Sequence, residues 1–141
     1  MSFRGTFEYS LDDRGRVAIP AKYRTAFPNG VAVITPAPEG CLRVFPEAAF
    51  DAMSDDNARG PATSVEGRRA RRGFDAQAHD TELDRQGRIL IPARLREKAS
   101  LNGAVVIAGN RECLEIWNPE AWEREVERAE AESSGEQRRE E

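Results

Sequence analysis

Over residues 6–11 (Thr-Phe-Glu-Tyr-Ser-Leu) apolar and polar positions alternate, the period of a strand with one face buried. Asp12-Asp13-Arg14-Gly15 interrupts the alternation with turn chemistry. An Asp side chain can accept from nearby backbone N–H groups, and Gly takes positive φ without steric cost. Residues 16–19 resume an extended pattern, so the two runs read as a β-hairpin. Pro20 suits the first turn of a short helix over 21–27, and Pro28-Asn29-Gly30 ends it. Residues 31–35 and 41–45 predict a second strand pair around a Pro/Gly loop.

The same order returns further along the chain. A strand is expected near 81–83, a turn at 84–87, a strand at 88–91, a helix from 92 to about 99, and strands at 104–108 and 113–117. The residues themselves also recur. Residues 11–24 reappear as 83–96 with eight of fourteen pairs identical, an offset of 72. That offset carries Cys41-Leu42 onto Cys113-Leu114, Val44-Phe45 onto Ile116-Trp117, and Phe50 onto Trp122. Read without a gap, this is a duplicated domain. The fold class that follows is mixed α+β, mainly β with short helices. The first domain is expected over 5–47, a partly helical linker over 48–75, the second domain over 76–119, and a C-terminal helix with an acidic tail over 120–141. Units this small bury too little surface to stand alone, so they need a shared core or an oligomer.

Within the linker, residues 46–53 read as a helix turning Phe50 inward, 54–64 as a loop, and 66–74 as a helical stretch carrying Arg68, Arg69, Arg71 and Arg72. From 54 to 73 there is neither an aromatic nor a large aliphatic residue to anchor a buried helix. Asn118-Pro119-Glu120 is an N-cap, a first-turn proline and an early acid, so a helix starts there with Trp122, Val126 and Ala129 on one face. Beyond about Glu132 the Ser/Gly/Glu/Arg composition predicts fraying.

Charge changes the picture through its distribution. The 141-residue chain has a formal net charge of −4, but residues 123–141 hold eight acidic against four basic residues. Without them the chain is balanced, 17 against 17. From Asp12 to Arg24 the count is four basic against two acidic, and from Asp84 to Arg96 four against one. Turn geometry accounts for Asp12, Gly15, Asp84 and Gly87 but requires no arginine beside them. Arg14, Arg16, Arg85 and Arg88 are therefore candidate DNA contacts, with Lys22, Arg24, Arg94 and Arg96 as weaker ones. Guanidinium groups on a rigid tip suit phosphates or guanine edges. One tip binds weakly, whereas several on one assembly bind repeated sites by avidity. The plainer reading makes these residues the solvated side chains of two ordinary hairpins. The arginines at 68–72 read first as a solvated face and only secondarily as DNA contacts.

Other chemistries have little material. Two cysteines make no disulfide framework, and with a single histidine (His79) no zinc-ligand spacing exists. Cys41 and Cys113 lie in strand-like runs and read as small buried hydrophobes. His79 has no evident catalytic partner, and its counterpart by the offset is Phe7. There is no phosphate-binding Gly-rich loop, so neither an enzyme nor a cofactor is expected. No apolar run approaches the roughly 20 residues of a membrane span, and the start lacks a secretory stretch, so the expected location is the cytoplasm.

The pattern Asp-x-x-Gly-Arg-[Val/Ile]-x-Ile-Pro-Ala-x-x-Arg resembles the AbrB-type (SpoVT–AbrB) DNA-binding domain. Two copies in one short chain, with Phe3-Arg4-Gly5 before them and Leu114-Glu115-Ile116-Trp117 near the end, resemble the MraZ family over about residues 3–125. The resemblance implies a swapped-hairpin β-barrel formed as an intramolecular pseudo-dimer. It also implies sequence-specific binding of double-stranded promoter DNA at direct repeats, by a ring-like homo-oligomer associated with the nucleoid. The regulated genes would be a division and cell-wall cluster, with the protein repressing its own operon. The family's DNA-binding motif falls on residues 12–16 and 84–88, with Arg16 and Arg88 as its arginines. The competing readings are an AbrB-like antitoxin using the acidic tail, and an interaction scaffold using Phe50, Trp117 and Trp122. The repeat-equivalent placing of those aromatics argues that they fill matching cores.

Overall fold

A computed structural model describes residues 2–57 and 60–140, the last five of these by backbone alone. The strands are β1 (Thr6–Ser10), β2 (Arg16–Ala18), β3 (Val31–Pro36), β4 (Leu42–Pro46), β5 (His79–Glu82), β6 (Arg88–Leu90), β7 (Ala104–Asn110) and β8 (Cys113–Trp117). The helices are α1 (Glu47–Asn57), α2 (Val65–Phe74), α3 (Ala93–Lys98) and α4 (Pro119–Glu140), and a 3₁₀ stretch at Ala21–Ala26 stands where α3 stands in the other half. The fold is thus mixed α+β with antiparallel strands and short helices, as the periodicity implies.

Partner choice is where the structure departs from the sequence reading. One antiparallel sheet has the order β1-β7-β8-β4-β3-β5, and β2 and β6 form a separate two-stranded ribbon. The expected hairpins of β1 with β2 and of β5 with β6 are absent among the described residues. At the first turn, Asp12 N–H donates to Arg16 O (2.9 Å) and Gly15 N–H to Asp12 O (3.1 Å). The chain then diverges, β1 pairing with β7 and β2 with β6. Each half therefore lends its first strand to the other half's sheet edge, which would otherwise expose unpaired backbone groups. The expected β-barrel is also not found. The sheet is open, with β1 and β5 as its two edges, because the three-residue strands β2 and β6 pair with each other and do not bridge those edges.

A pseudo-two-fold relates the halves. Val17 faces Ile89 in the ribbon and Arg43 faces Glu115 in the sheet, each pair 72 residues apart, so the axis runs through both. The ungapped repeat needs correcting, however. Ser10 faces Ala104 whereas Glu82 faces Val31, and a constant offset of 72 would place Ala32 there. One extra residue lies between Arg96 and Asn102, so Asn29-Gly30 matches Asn102-Gly103 at an offset of 73. The stretch between Gly103 and Cys113 is one residue shorter than that between Gly30 and Cys41, which restores 72 at the cysteines.

Strand alternation builds a core on each sheet face. On one, Val17, Ile19, Ile89 and Ile91 of the ribbon segments pack on Ile34, Leu42, Val44, Ile107, Leu114 and Ile116, with Phe3, Tyr23 and Leu95 at the margins. On the other, Phe45 packs against Phe50 of α1, and Trp117 against Trp122 of α4. Phe74 stacks on Phe50 with centroids 5.0 Å apart, supplying the anchor that residues 54–73 lack. Cys41 and Cys113 are buried free thiols, and burial pushes the Cys113 thiol up to about 12 and the Cys41 thiol higher still.

Helix limits differ from expectation in two places. α1 continues to Asn57, into the expected loop, of which Ala58 and Arg59 lie outside the described residues. α4 stays helical to Glu140, well past the expected fraying near Glu132. Alanine and Glu/Arg spacings such as Glu125–Arg128 (3.8 Å) support it. No described helix is long and apolar enough to cross a membrane.

Because β1 and β3 take partners from the second half, residues 1–75 produced alone should not form a folded monomer. Circular dichroism and light scattering are expected to find an unfolded chain or a dimer. A folded monomer would contradict the strand exchange.

Candidate nucleic-acid interface

The two Asp-x-x-Gly-Arg turns have one construction. Asp12 Oδ1 accepts from the backbone N–H groups of Arg14 (3.0 Å) and Arg16 (2.8 Å), and Oδ2 accepts from Arg16 Nε (2.7 Å). Asp84 Oδ1 accepts from the N–H groups of Gln86 and Arg88, and Oδ2 from Arg88 Nε, all at 2.9 Å. Gly15 and Gly87 hold φ of 83° and 76°, where a side chain is strained. The backbone N–H of Arg16 leads the effects that hold the Asp12 carboxyl down at about 2, and that of Arg88 leads in lowering Asp84. Each arginine is thereby oriented through its Nε, and of the Nη groups Arg88 Nη1 reaches across to Asp12 Oδ2 (3.5 Å).

The turns also interlock. Ile19 N–H donates to Gly87 O (2.8 Å) and Ile91 N–H to Gly15 O (3.0 Å). Arg24 Nε donates to Ile19 O (3.1 Å) and its side chain covers Gly87, where an added Cβ would come 2.1 Å from Arg24 Nε. Arg96 does the same at Ile91 O (3.0 Å) and over Gly15, with 2.6 Å to Arg96 Cζ. Arg24 and Arg96, grouped in the sequence with the weaker DNA candidates, are therefore struts that lock each turn to the other half. Nothing within one copy of the repeat reveals this, because the covered glycine belongs to the other copy.

On the ribbon, Val17 and Ile89 point into the core, so Arg16 and Ala18, Arg88 and Leu90 lie on the outward side. Arg16 stands opposite Leu90 and Arg88 opposite Ala18. The two arginines meet at the axis. Asp12 Oδ2, already bonded to Arg16, is 3.5 Å from Arg88 Nη1. Both arginine side chains are about a quarter exposed. Arg14 and Arg85 are exposed on the same two turns, and Lys22 and Arg94 are exposed on the helical stretches that follow the ribbon, with Lys22 Nζ held 4.9 Å from the Tyr23 ring centroid. The sequence reading passed over Leu90, which is 48 % exposed.

Other candidates lie elsewhere. The 68–72 arginines are on α2, beyond the opposite sheet face, where Arg68 Nη1 donates to Ala62 O and Arg71 Nη2 to Gly60 O, both at 3.1 Å. The acidic helix α4 packs over that same far face through Trp122. Among the described residues no group of three or more His, Cys, Asp or Glu could hold a metal.

Comparison with known proteins adds to this geometry. The family model described as "MraZ protein, putative antitoxin-like" matches twice, at residues 2–73 and 74–141. A protein named transcriptional regulator MraZ from Roseiflexus castenholzii is 42% identical over 132 residues, covering 94% of this chain and 92% of its own. Its namesakes from Salinispora tropica and Thermus thermophilus are 44% and 43% identical, covering 86% and 87% of this chain and 84% and 86% of their own. The solution structure of PHS018 from Pyrococcus horikoshii superposes with a TM-score of 0.35 at 13% identity, over 80% of this chain and 96% of that one, too slight a likeness to argue from.

Two outcomes follow from the turns. A carboxyl held low in the folded state contributes stability above its unfolded value, ordinarily 3.8, and loses it as pH falls through the folded value. Carboxyl NMR titration should therefore place the Asp12 midpoint near pH 2 and that of Asp84 below 3.8, and two ordinary midpoints would refute the capping geometry. Gly87→Ala should destabilise the protein by at least about 1–2 kcal/mol in urea denaturation, from positive φ alone, with displacement of Arg24 adding to it.

Proposed function

The chain belongs to the MraZ family, in two tandem copies of the family's domain, and on that premise we propose that the β2–β6 ribbon is a sequence-specific surface for double-stranded promoter DNA. The family is one of transcriptional regulators, not of enzymes. The observation that carries the proposal is the convergence of Arg16 and Arg88 at the pseudo-two-fold, each oriented by the aspartate of its own turn.

The geometry supports a division of labour. An arginine fixed through Nε presents its Nη edge with little torsional freedom left, which suits bidentate contact with guanine O6 and N7. Arg16 and Arg88 are assigned that reading role. The exposed Arg14, Arg85, Lys22 and Arg94 are assigned phosphate contacts, which fix register without reading sequence. Asp12, Gly15, Asp84 and Gly87 shape the turns, and Arg24 and Arg96 position them.

A single ribbon supplies few contacts, so tight binding calls for several. In keeping with the resemblance, copies assemble into a ring that engages direct repeats upstream of the protein's own operon, in a division and cell-wall cluster, and represses it. Avidity across the repeats then supplies affinity that one ribbon lacks. The place of action is the nucleoid, and the two DNA-binding units correspond to residues 5–47 and 76–119.

Replacing both Arg16 and Arg88 with Ala should reduce affinity for the promoter duplex at least about thirtyfold, since each bidentate contact contributes about 1–3 kcal/mol of discrimination. Fluorescence anisotropy measures the loss, and circular dichroism and assembly mass should stay as in the wild type. Unchanged affinity would defeat the proposal.

A further inference from the structure

The pseudo-two-fold matches the two halves of the ribbon closely, except at one pair. Position 18 is Ala and its equivalent 90 is Leu, within a stretch where Asp, Gly, Arg, Ile, Pro and Ala all recur. Position 90 lies outside the core: Ile89 is fully buried, and Leu90, beside it, is 48 % exposed. It is one of two large hydrophobic side chains so exposed among the described residues, the other being Val65 at the start of α2. A lone exposed leucine is ordinary on a protein surface, so its surroundings decide its meaning. Cross-strand neighbours on one face have Cβ atoms about 4.5–5.5 Å apart, which sets Leu90 directly beside Arg16. The same place beside Arg88 is taken by Ala18, which is small and half-buried.

We propose that Leu90 is a specificity residue that contacts a thymine 5-methyl group next to the base read by Arg16, and so gives the ribbon a direction on DNA. This rests on the DNA-binding reading above. The thymine methyl is the apolar feature of the major groove, and apolar side chains recognise it. A two-stranded ribbon fits that groove. Arg16 with Leu90 makes a donor fork beside an apolar knob, whereas Arg88 with Ala18 makes a fork alone. A true homodimer must present identical half-surfaces and so matches a palindrome. A single chain that builds both halves is free of that constraint, and the Leu90/Ala18 difference uses the freedom. A directional unit matches sites repeated head to tail.

The test uses the full chain and a duplex that it selects from random-sequence DNA, resynthesised with each thymine in turn replaced by deoxyuridine, which removes only the methyl. Burying one methyl contributes about 0.8 kcal/mol, about fourfold in affinity. The wild type should lose about that factor at a thymine on one side of the site. Leu90→Ala should bind the original duplex about fourfold more weakly and be indifferent to deoxyuridine at that position. The double exchange Ala18→Leu/Leu90→Ala should move the methyl sensitivity to the other side of the site. Leu90→Ala with wild-type affinity and wild-type methyl sensitivity overturns the inference while leaving Arg16 and Arg88 as DNA contacts. A changed assembly mass for Leu90→Ala without DNA also overturns it, because the side chain then covers a neighbouring copy. If the wild type selects no duplex, the DNA-binding reading itself falls and takes this inference with it.

Discussion

Two backbone hydrogen bonds hold the arrangement on which the rest depends, from Ile19 N–H to Gly87 O and from Ile91 N–H to Gly15 O. Each runs from one half of the chain to the glycine of the other half's turn. Each turn is thereby tied to its counterpart, and Arg24 and Arg96, hydrogen-bonded within their own halves, lie over the glycine of the other. The exchange of β1 and β5 follows the same logic on a larger scale. Each half by itself offers one hairpin of β3 and β4 or of β7 and β8, and two strands are at best marginal in water. Joined, they bury a common core beneath the ribbon, with Val17 and Ile89 at its centre.

This construction also reconciles an overall negative charge with a polyanionic partner. The acidic excess is carried largely by α4, which packs on the far face of the sheet from the ribbon. Near the turns the charges nearly cancel, since Asp12 and Asp84 each pair with the arginine of their own turn. That pairing lowers the local positive potential but restrains two side chains that would otherwise lose rotamer entropy on binding. On the proposed reading, the exposed Arg14, Arg85, Lys22 and Arg94 would supply the attraction. Orientation and attraction are thus assigned to different residues.

Much of this was legible in the residues. Turn and strand positions followed from local alternation and from the Asp and Gly at the corners, and Asn118 caps α4 as its sequence suggests, accepting from Glu120 N–H at 2.9 Å. Strand partners were not legible from alternation, which says which face is buried and is silent about which strand lies alongside; only the family resemblance implied an exchange between the halves. The open sheet was missed for the same reason. The one-residue slip to an offset of 73 was hidden by the strong match over residues 11–24, which fixes the alignment before the slip occurs. The covering of Gly87 by Arg24 and of Gly15 by Arg96 was not legible, because each glycine comes from the opposite copy. For Leu90 a signal did exist. It is the one apolar residue that the ribbon's alternation places outside in the second half where the first half has only Ala.

The salt dependence of DNA binding by the full chain tests the central claim most directly, that the interlocked turns present their cations together to one polyanion. Each phosphate neutralised contributes about −0.9 to the slope of log affinity against log salt. A steep linear fall, corresponding to several phosphates per ribbon, is the predicted result. A flat profile would contradict the account.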